Sequence, residues 1–133
     1  MGFTDLITLT PADLSDANVG GNQTVNAIPL DLGDFIGNEM LVERPVEFDQ
    51  ATLTMEIGVT GTTNRFAPTA FDLSAAVYAA TEAAVAPHVA IAASTFLTVS
   101  FFADAGWALA DLTTGEVRVW VRIHRRAERN VQA

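Results

Sequence analysis

The residues of this chain that could take part in chemistry are few and widely separated. Its two histidines, His88 and His124, lie in no cluster with the spacing of metal ligands or of a base and its nucleophile, and both kinds of site need such partners. Cysteine is absent, which excludes disulfides, thiolate metal sites and a cysteine nucleophile. The sequence contains no nucleophile elbow, P-loop, zinc motif or dinucleotide-binding glycine pattern. We therefore expect a protein that is not an enzyme and needs no cofactor.

One short segment has the spacing of a cation site. Asp13, Asp16 and Asn18 bring side-chain oxygens into a run that ends at Gly20. A calcium loop of the EF-hand type closes on a bidentate glutamate at its twelfth position, and this chain has Thr24 there. Asp and Asn are also preferred residues of turns. The segment therefore predicts a turn, with no metal bound.

The clearest pattern in the sequence is a strict alternation of side chains near the carboxyl end. The apolar members are Val117, Val119, Val121 and Ile123, and the intervening ones are Arg118, Trp120, Arg122 and His124. Alternation with period two is typical of a strand that is buried on one side. Arg118, Trp120 and Arg122 then share the outward side of that strand. Because Trp and Arg are enriched at binding hot spots, we predict that these three residues form a contact face.

Charge is distributed unevenly along the chain. The formal net charge is −9 and lysine is absent. Fourteen carboxylates face two arginines in residues 1–113, which gives −12, and five arginines face two carboxylates in residues 114–133, which gives +3. A basic edge on an acidic body suits contact with another acidic surface, including a second copy of the chain. Nucleic acid requires a broad basic surface, so base stacking on Trp120 is the disfavoured alternative.

The rest of the sequence has the pattern of an all-β protein. Runs with strand-like alternation, such as residues 52–60, recur about every ten residues with turn residues between them. This spacing predicts an antiparallel β-sandwich of jelly-roll type with about eight strands. The alanine-rich segment 73–86 is compatible with one short helix or with a strand and a turn.

The turn residues also suggest how the chain is divided. Pro11 and the Gly20–Gly21 pair separate the amino-terminal residues from the following strands. We therefore predict an extended amino-terminal arm over residues 1–20 that reaches a neighbouring molecule, either another subunit or a larger assembly, although residues 3–10 alternate loosely like a short strand. Residues 21–126 form the β-sandwich domain, and residues 127–133 form a carboxyl-terminal tail.

One uncharged stretch, residues 83–103, is long enough to be considered as a membrane-spanning helix. Pro87 and His88 interrupt it, and no Lys or Arg anchors flank it closely. Five of its apolar residues share odd-numbered positions: Val89, Ile91, Leu97, Val99 and Phe101. That period is typical of strands, so we expect no membrane span and no membrane partner.

Three segments of the chain resemble small virion proteins of tailed bacteriophages. They are residues 46–58 (VEFDQATLTMEIG), residues 63–66 (TNRF) and residues 114–122 (TGEVRVWVR). Such proteins often pair a Phe-Asp … Ile-Gly strand turn with a terminal Gly-Glu-Val-Arg-Val strand. The resemblance covers residues 25–125 by the order of these motifs.

The resemblance implies a non-enzymatic β-rich structural protein that decorates or cements the capsid shell. Its expected partners are the major capsid protein and copies of itself, with a trimer expected at local symmetry positions. Synthesis in the host cytoplasm and a final location on the virion surface follow from the same resemblance. A neck or tail component of the virion, and a small-ligand or carbohydrate-binding β module, are the alternatives.

Overall fold

The computed structural model describes residues 3–73, 80–82 and 90–126, and the side chains of residues 38–39, 67–70 and 80–82 are outside the description. Within these residues the chain forms eight strands. They are β1 (Asp5–Leu9), β2 (Asn22–Leu30), β3 (Phe35–Val46), β4 (Thr54–Val59), β5 (Thr62–Asp72), β6 (Ala80–Glu82), β7 (Thr95–Phe102) and β8 (Glu116–His124). Two short 3-10 turns, Pro11–Asp13 and Leu109–Asp111, lie in the connections that follow β1 and β7.

The strands form two four-stranded antiparallel sheets. Sheet A has the order β1-β8-β3-β6, and sheet B has the order β2-β7-β4-β5. The chain crosses between the sheets at every connection except the hairpin between β4 and β5. This is the strand order of a jelly roll, in which two Greek keys build a double sheet. The predicted antiparallel β-sandwich is therefore confirmed.

The segment considered as a short helix contains a strand. Ala80–Glu82 forms β6 at one edge of sheet A, where it pairs with residues 41–43 of β3. Residues 74–79 and 83–86 lie outside the described residues, as does the predicted tail over 127–133. Across the described ranges, no helix is long and apolar enough to cross a membrane.

The core fills the space between the two sheets, and the period-two pattern determines which residues enter it. Every second residue of β8, from Val117 to Ile123, is buried. Sheet B contributes the alternate positions of its two central strands: Met55, Ile57, Val59, Leu97, Val99 and Phe101. Full burial of a large apolar side chain contributes about 1.5–3 kcal/mol relative to exposure. In a chain without cysteine this packing stands in place of disulfide cross-links.

Residues 5–9 belong to the sandwich, which corrects the extended arm predicted over residues 1–20. β1 pairs with β8 in sheet A, with Leu6 opposite Trp120. Ile7 and Leu9 point into the core, and Leu14 in the following connection is also buried. The physical reason is that the alternation in β1 supplies an apolar side that the core accepts. The turn at Pro11 then redirects the chain towards β2 instead of releasing it.

A pair of neighbouring substitutions tests the place of β1. Ile7 is 7% exposed and Leu6 is 44% exposed. Ile7→Ala is expected to lower the free energy of unfolding by about 2–5 kcal/mol, because it leaves a cavity in the core. Leu6→Ala should change it by less than about 0.5 kcal/mol. Urea unfolding of the dilute protein measures both values, and equal small losses would contradict the assignment of β1 to the sheet.

Candidate functional site

The three predicted contact residues lie together on the outward side of sheet A. β8 is an inner strand of this sheet, between β1 and β3. Its burial alternates strictly along the strand, and Arg118, Trp120 and Arg122 are all partly exposed. They share this side because the valines between them fill the core. Their role in binding a partner stays a prediction.

An apolar row crosses the sheet at Trp120. Its registered neighbours are Leu6 on β1 and Leu41 on β3, and residues directly opposite one another in antiparallel strands project from the same face. Leu6 is 44% exposed and Leu41 is partly exposed. The Phe3 ring lies 6.3 Å from the Trp120 ring, centroid to centroid, with the planes tilted by 46°. We refer to Leu6, Trp120 and Leu41 as the apolar row.

The sequence does not reveal this row, because Leu6 and Leu41 are far from Trp120 along the chain and the register of distant strands is not a local property. One signal is nevertheless present. Leu6 lies on the same side of the first alternating segment as Thr4 and Thr8. A large apolar residue on a polar side is a reason to expect a contact.

The polar groups around the apolar row have partners within the chain. The indole Nε1 of Trp120 donates a hydrogen bond to Oε1 of Glu43. Arg118 Nε donates to Glu116 Oε2 at 2.6 Å, with the Arg118 side chain 41% exposed. An exposed ion pair contributes only about 0–1 kcal/mol to stability, so its effect here is to orient Arg118. The positive charge predicted to meet an acidic neighbour is therefore partly balanced by Glu116.

The carboxyl-terminal part of this surface is aromatic. The His124 ring stacks on Phe35, with centroids 4.6 Å apart and planes 15° from parallel. A side chain at Gly37 would bring its Cβ to 3.1 Å from His124 Nε2 and 3.4 Å from the Cβ of Arg122. Glycine at this position therefore leaves room for both residues. His124 takes part in ring packing on the outward surface.

A buried carboxylate anchors the end of β8. Asp34 Oδ2 accepts hydrogen bonds from Arg125 Nη1 and from the Asp31 backbone N–H, both at 2.9 Å, and Oδ1 accepts one from the Arg126 N–H at 2.9 Å. Burial by itself would raise the pKa of Asp34. The hydrogen bonds from Asp31 and Arg126, and the hydrogen bond and charge of Arg125, outweigh burial and hold this pKa below its ordinary value.

This anchor connects the two sheets. The backbone carbonyl of Asp34 accepts a hydrogen bond from the Ile91 N–H at 2.8 Å, and Ile91 in turn accepts one from the Gly33 N–H at 2.8 Å. Arg125 also donates to the Pro29 carbonyl at 2.9 Å. The end of β8 in sheet A is thereby fixed to the end of β2 in sheet B. This connection holds the end of β8 in place and so helps to position the outward residues of the strand.

The segment considered as a cation site forms a hydrogen-bonded turn. Oε1 of Gln23 accepts from the backbone N–H groups of Ser15 and Asp16 at 2.8 and 3.0 Å. Asn18 Nδ2 donates to Asp16 Oδ1 at 2.9 Å. Of the residues that the structure describes, no group of three or more His, Asp or Glu side chains could hold a metal ion.

Comparison with known proteins gives one informative likeness. No protein-family model and no curated protein matches the sequence. Among solved structures, the fold is similar to that of a chain in the capsid asymmetric unit of cyanophage Pam1, with a TM-score of 0.55 and 15% sequence identity. The similar region covers 90% of this chain and 81% of that one. At this identity the likeness shows a shared fold.

The Asp34 anchor leads to a pH-dependent prediction. Asp34→Asn should lower the free energy of unfolding at pH 7 by about 1–3 kcal/mol, because a charged hydrogen-bond acceptor is lost from a buried position. The folded-state pKa of Asp34 lies below its unfolded value. Its contribution is therefore fully present above about pH 4 and is lost as the pH falls through the folded pKa.

Denaturant unfolding of the wild type and the variant, from pH 7 into the acidic range, measures this difference. Asp31→Asn is the matched control, since Asp31 lies in the same connection but is exposed. The difference for Asp34→Asn should shrink on acidification, whereas the control should stay close to the wild type. An Asp34→Asn difference that is independent of pH would contradict the anchor.

Proposed function

We propose that this protein is a structural component of a bacteriophage virion and that it binds the exterior of the capsid as a decoration or cement protein. The observation that supports this proposal most is the jelly-roll fold shared with a chain of a cyanophage capsid asymmetric unit over 90% of the sequence. The three segments that resemble phage virion proteins agree with it. The proposed partner is the major capsid protein, and the proposed location is the virion surface.

A cement function requires contacts and no chemistry. A small domain that bridges neighbouring capsid subunits stabilises the shell because it binds the assembled lattice and not the separated subunits. The outward surface of sheet A has the composition of a surface that contacts another protein molecule. An apolar centre formed by Leu6, Trp120 and Leu41 is surrounded by charged side chains, which is the usual anatomy of a protein interface.

The contact residues that we propose remain Arg118, Trp120 and Arg122. Trp120 is the anchor because its ring lies at the centre of the apolar row and its polar atom is already satisfied by Glu43. The two arginines lie on either side of it along β8. We propose a homotrimer, since closed cyclic symmetry is the usual outcome of self-association and local three-fold positions recur in capsid lattices.

Two alternatives remain. A neck or tail component of the virion would use the same fold and the same surface. A carbohydrate-binding module would need a hollow with an exposed aromatic ring, and the structure has an open hollow of about 540 Å³ whose lining includes Phe48, Gln50 and Thr114. Phe48 is only 3% exposed, so its ring is not available for stacking on a sugar. The hollow is therefore weaker support for a carbohydrate-binding module than the surface of sheet A is for a protein contact.

The cement proposal is tested on particles. Phage particles that lack this protein are expected to lose their shell integrity at a lower temperature than complete particles, and addition of the purified protein should restore the resistance. The amount bound should scale with the number of capsid subunits, because each local symmetry position offers a site. Heat release of the packaged genome, followed with a DNA-binding dye, measures the resistance.

Heat-denatured protein provides a control for folding, since an unfolded domain should not restore resistance. Unchanged resistance together with no binding to the shell would contradict the proposal. A few copies per particle, confined to one vertex, would favour the neck or tail alternative instead. Binding to a glycan array without binding to particles would favour the carbohydrate-binding module.

A further inference from the structure

We infer that the outer face of sheet A, formed by the outward side chains of β1, β8 and β3, is covered by a second copy of this chain. The inference deepens the proposed function by assigning the occupant of this face, and it rests on the structural role proposed above. Its first support is the apolar row. Leu6, Trp120 and Leu41 lie side by side across three strands, and a partner that covers them removes a contiguous apolar surface from water.

The second support is the balance of charge around that row. Among the described outward side chains of these strands, Arg118 and Arg122 are matched by Glu43 and Glu116. A strongly acidic partner would meet the two glutamates, and a strongly basic partner would meet the two arginines. A copy of the same face brings an opposite charge for each of the four. Complementarity of this kind selects a partner by suppressing the mismatched ones.

The third support comes from the acidic remainder of the protein. The connections β1–β2, β3–β4 and β7–β8 meet at one end of the sandwich, where Ala110 N–H donates to the Asp16 carbonyl and Thr113 N–H to the Asp49 carboxylate. These three connections contain six carboxylates and no arginine or lysine: Asp13, Asp16, Glu47, Asp49, Asp104 and Asp111. Two copies therefore repel one another through this end. The balanced outer face of sheet A offers an approach without that repulsion.

The size of the face indicates how strong the contact is. Three strands about 4.8 Å apart, with about eight residues each at about 3.3 Å per residue, present roughly 400 Å². Two such faces bury about 800 Å² in total, which is below the roughly 1,000 Å² of a stable specific interface and in the range of weak, transient ones. We therefore expect an association that depends on protein concentration and becomes strong where copies are held close together on a shell. Because the same face meets itself, the contact is isologous and relates the two copies by a two-fold axis. It can join neighbouring trimers but does not by itself build one.

The test compares two exposed apolar residues on opposite sheets. Leu6 on sheet A is 44% exposed and Phe96 on sheet B is 40% exposed, so replacement by glutamate adds the same charge at sites of similar accessibility. Sedimentation velocity of the purified protein, over concentrations up to the millimolar range, should show self-association of the wild type. Leu6→Glu should weaken it at least tenfold, and Phe96→Glu should leave it unchanged. Thermal unfolding of the dilute variants checks that each is folded.

Trp120→Ala is a second test of the same face that adds no charge. Like Leu6→Glu, it should weaken self-association. A wild type that stays monomeric at every concentration would overturn the inference, as would equal weakening by Leu6→Glu and Phe96→Glu. A monomer that still binds particles fully would overturn the inference while leaving the proposed function intact. Self-association through this face, together with absence from virions, would support the contact between copies and contradict the proposed function.

Discussion

Burial of one side of β8 is the constraint on which the rest of the structure depends. β8 lies between β1 and β3 in sheet A, and Val117, Val119 and Val121 are completely buried. Because the side chains of a strand alternate, a slip of one residue would move these valines into water and the polar residues into the core. The same constraint places Trp120 outward, beside Leu6 and Leu41. The pairing of β8 with β1 and β3 therefore determines both which residues enter the core and which residues form the candidate interaction surface.

The register of β8 is fixed at both of its ends. At the start of the strand, Gly115 has a φ of +139°, which non-glycine residues rarely adopt, and a Cβ there would overlap the Phe48 ring. At the other end, the Asp34 carboxylate receives the Arg125 guanidinium and the Arg126 N–H. Between these two points the strand has little freedom to slide. A surface that is rigid before binding loses less conformational entropy when it binds, which suits the reinforcing role that we propose.

The sequence predicts the sandwich and the two sides of β8 because both follow from local alternation. It does not predict β1 as part of the sheet. Pro11 and the Gly20–Gly21 pair have the composition of a linker, while the pairing of β1 with β8 joins residues more than a hundred positions apart. The apolar row is hidden for the same reason. The ion pair of Arg118 with Glu116 is different. Because residues two apart in a strand project from the same side, this contact can be predicted from the sequence alone.

The most direct measurement of the central claim is a three-dimensional reconstruction of the phage particle by electron cryomicroscopy. Our account predicts density for this jelly roll on the outside of the shell, repeated at local symmetry positions, with the outer face of sheet A buried against a neighbouring copy and Trp120 inside that contact. Density for the domain only at the neck or tail, or a shell whose outer surface carries no such domain, would contradict the account.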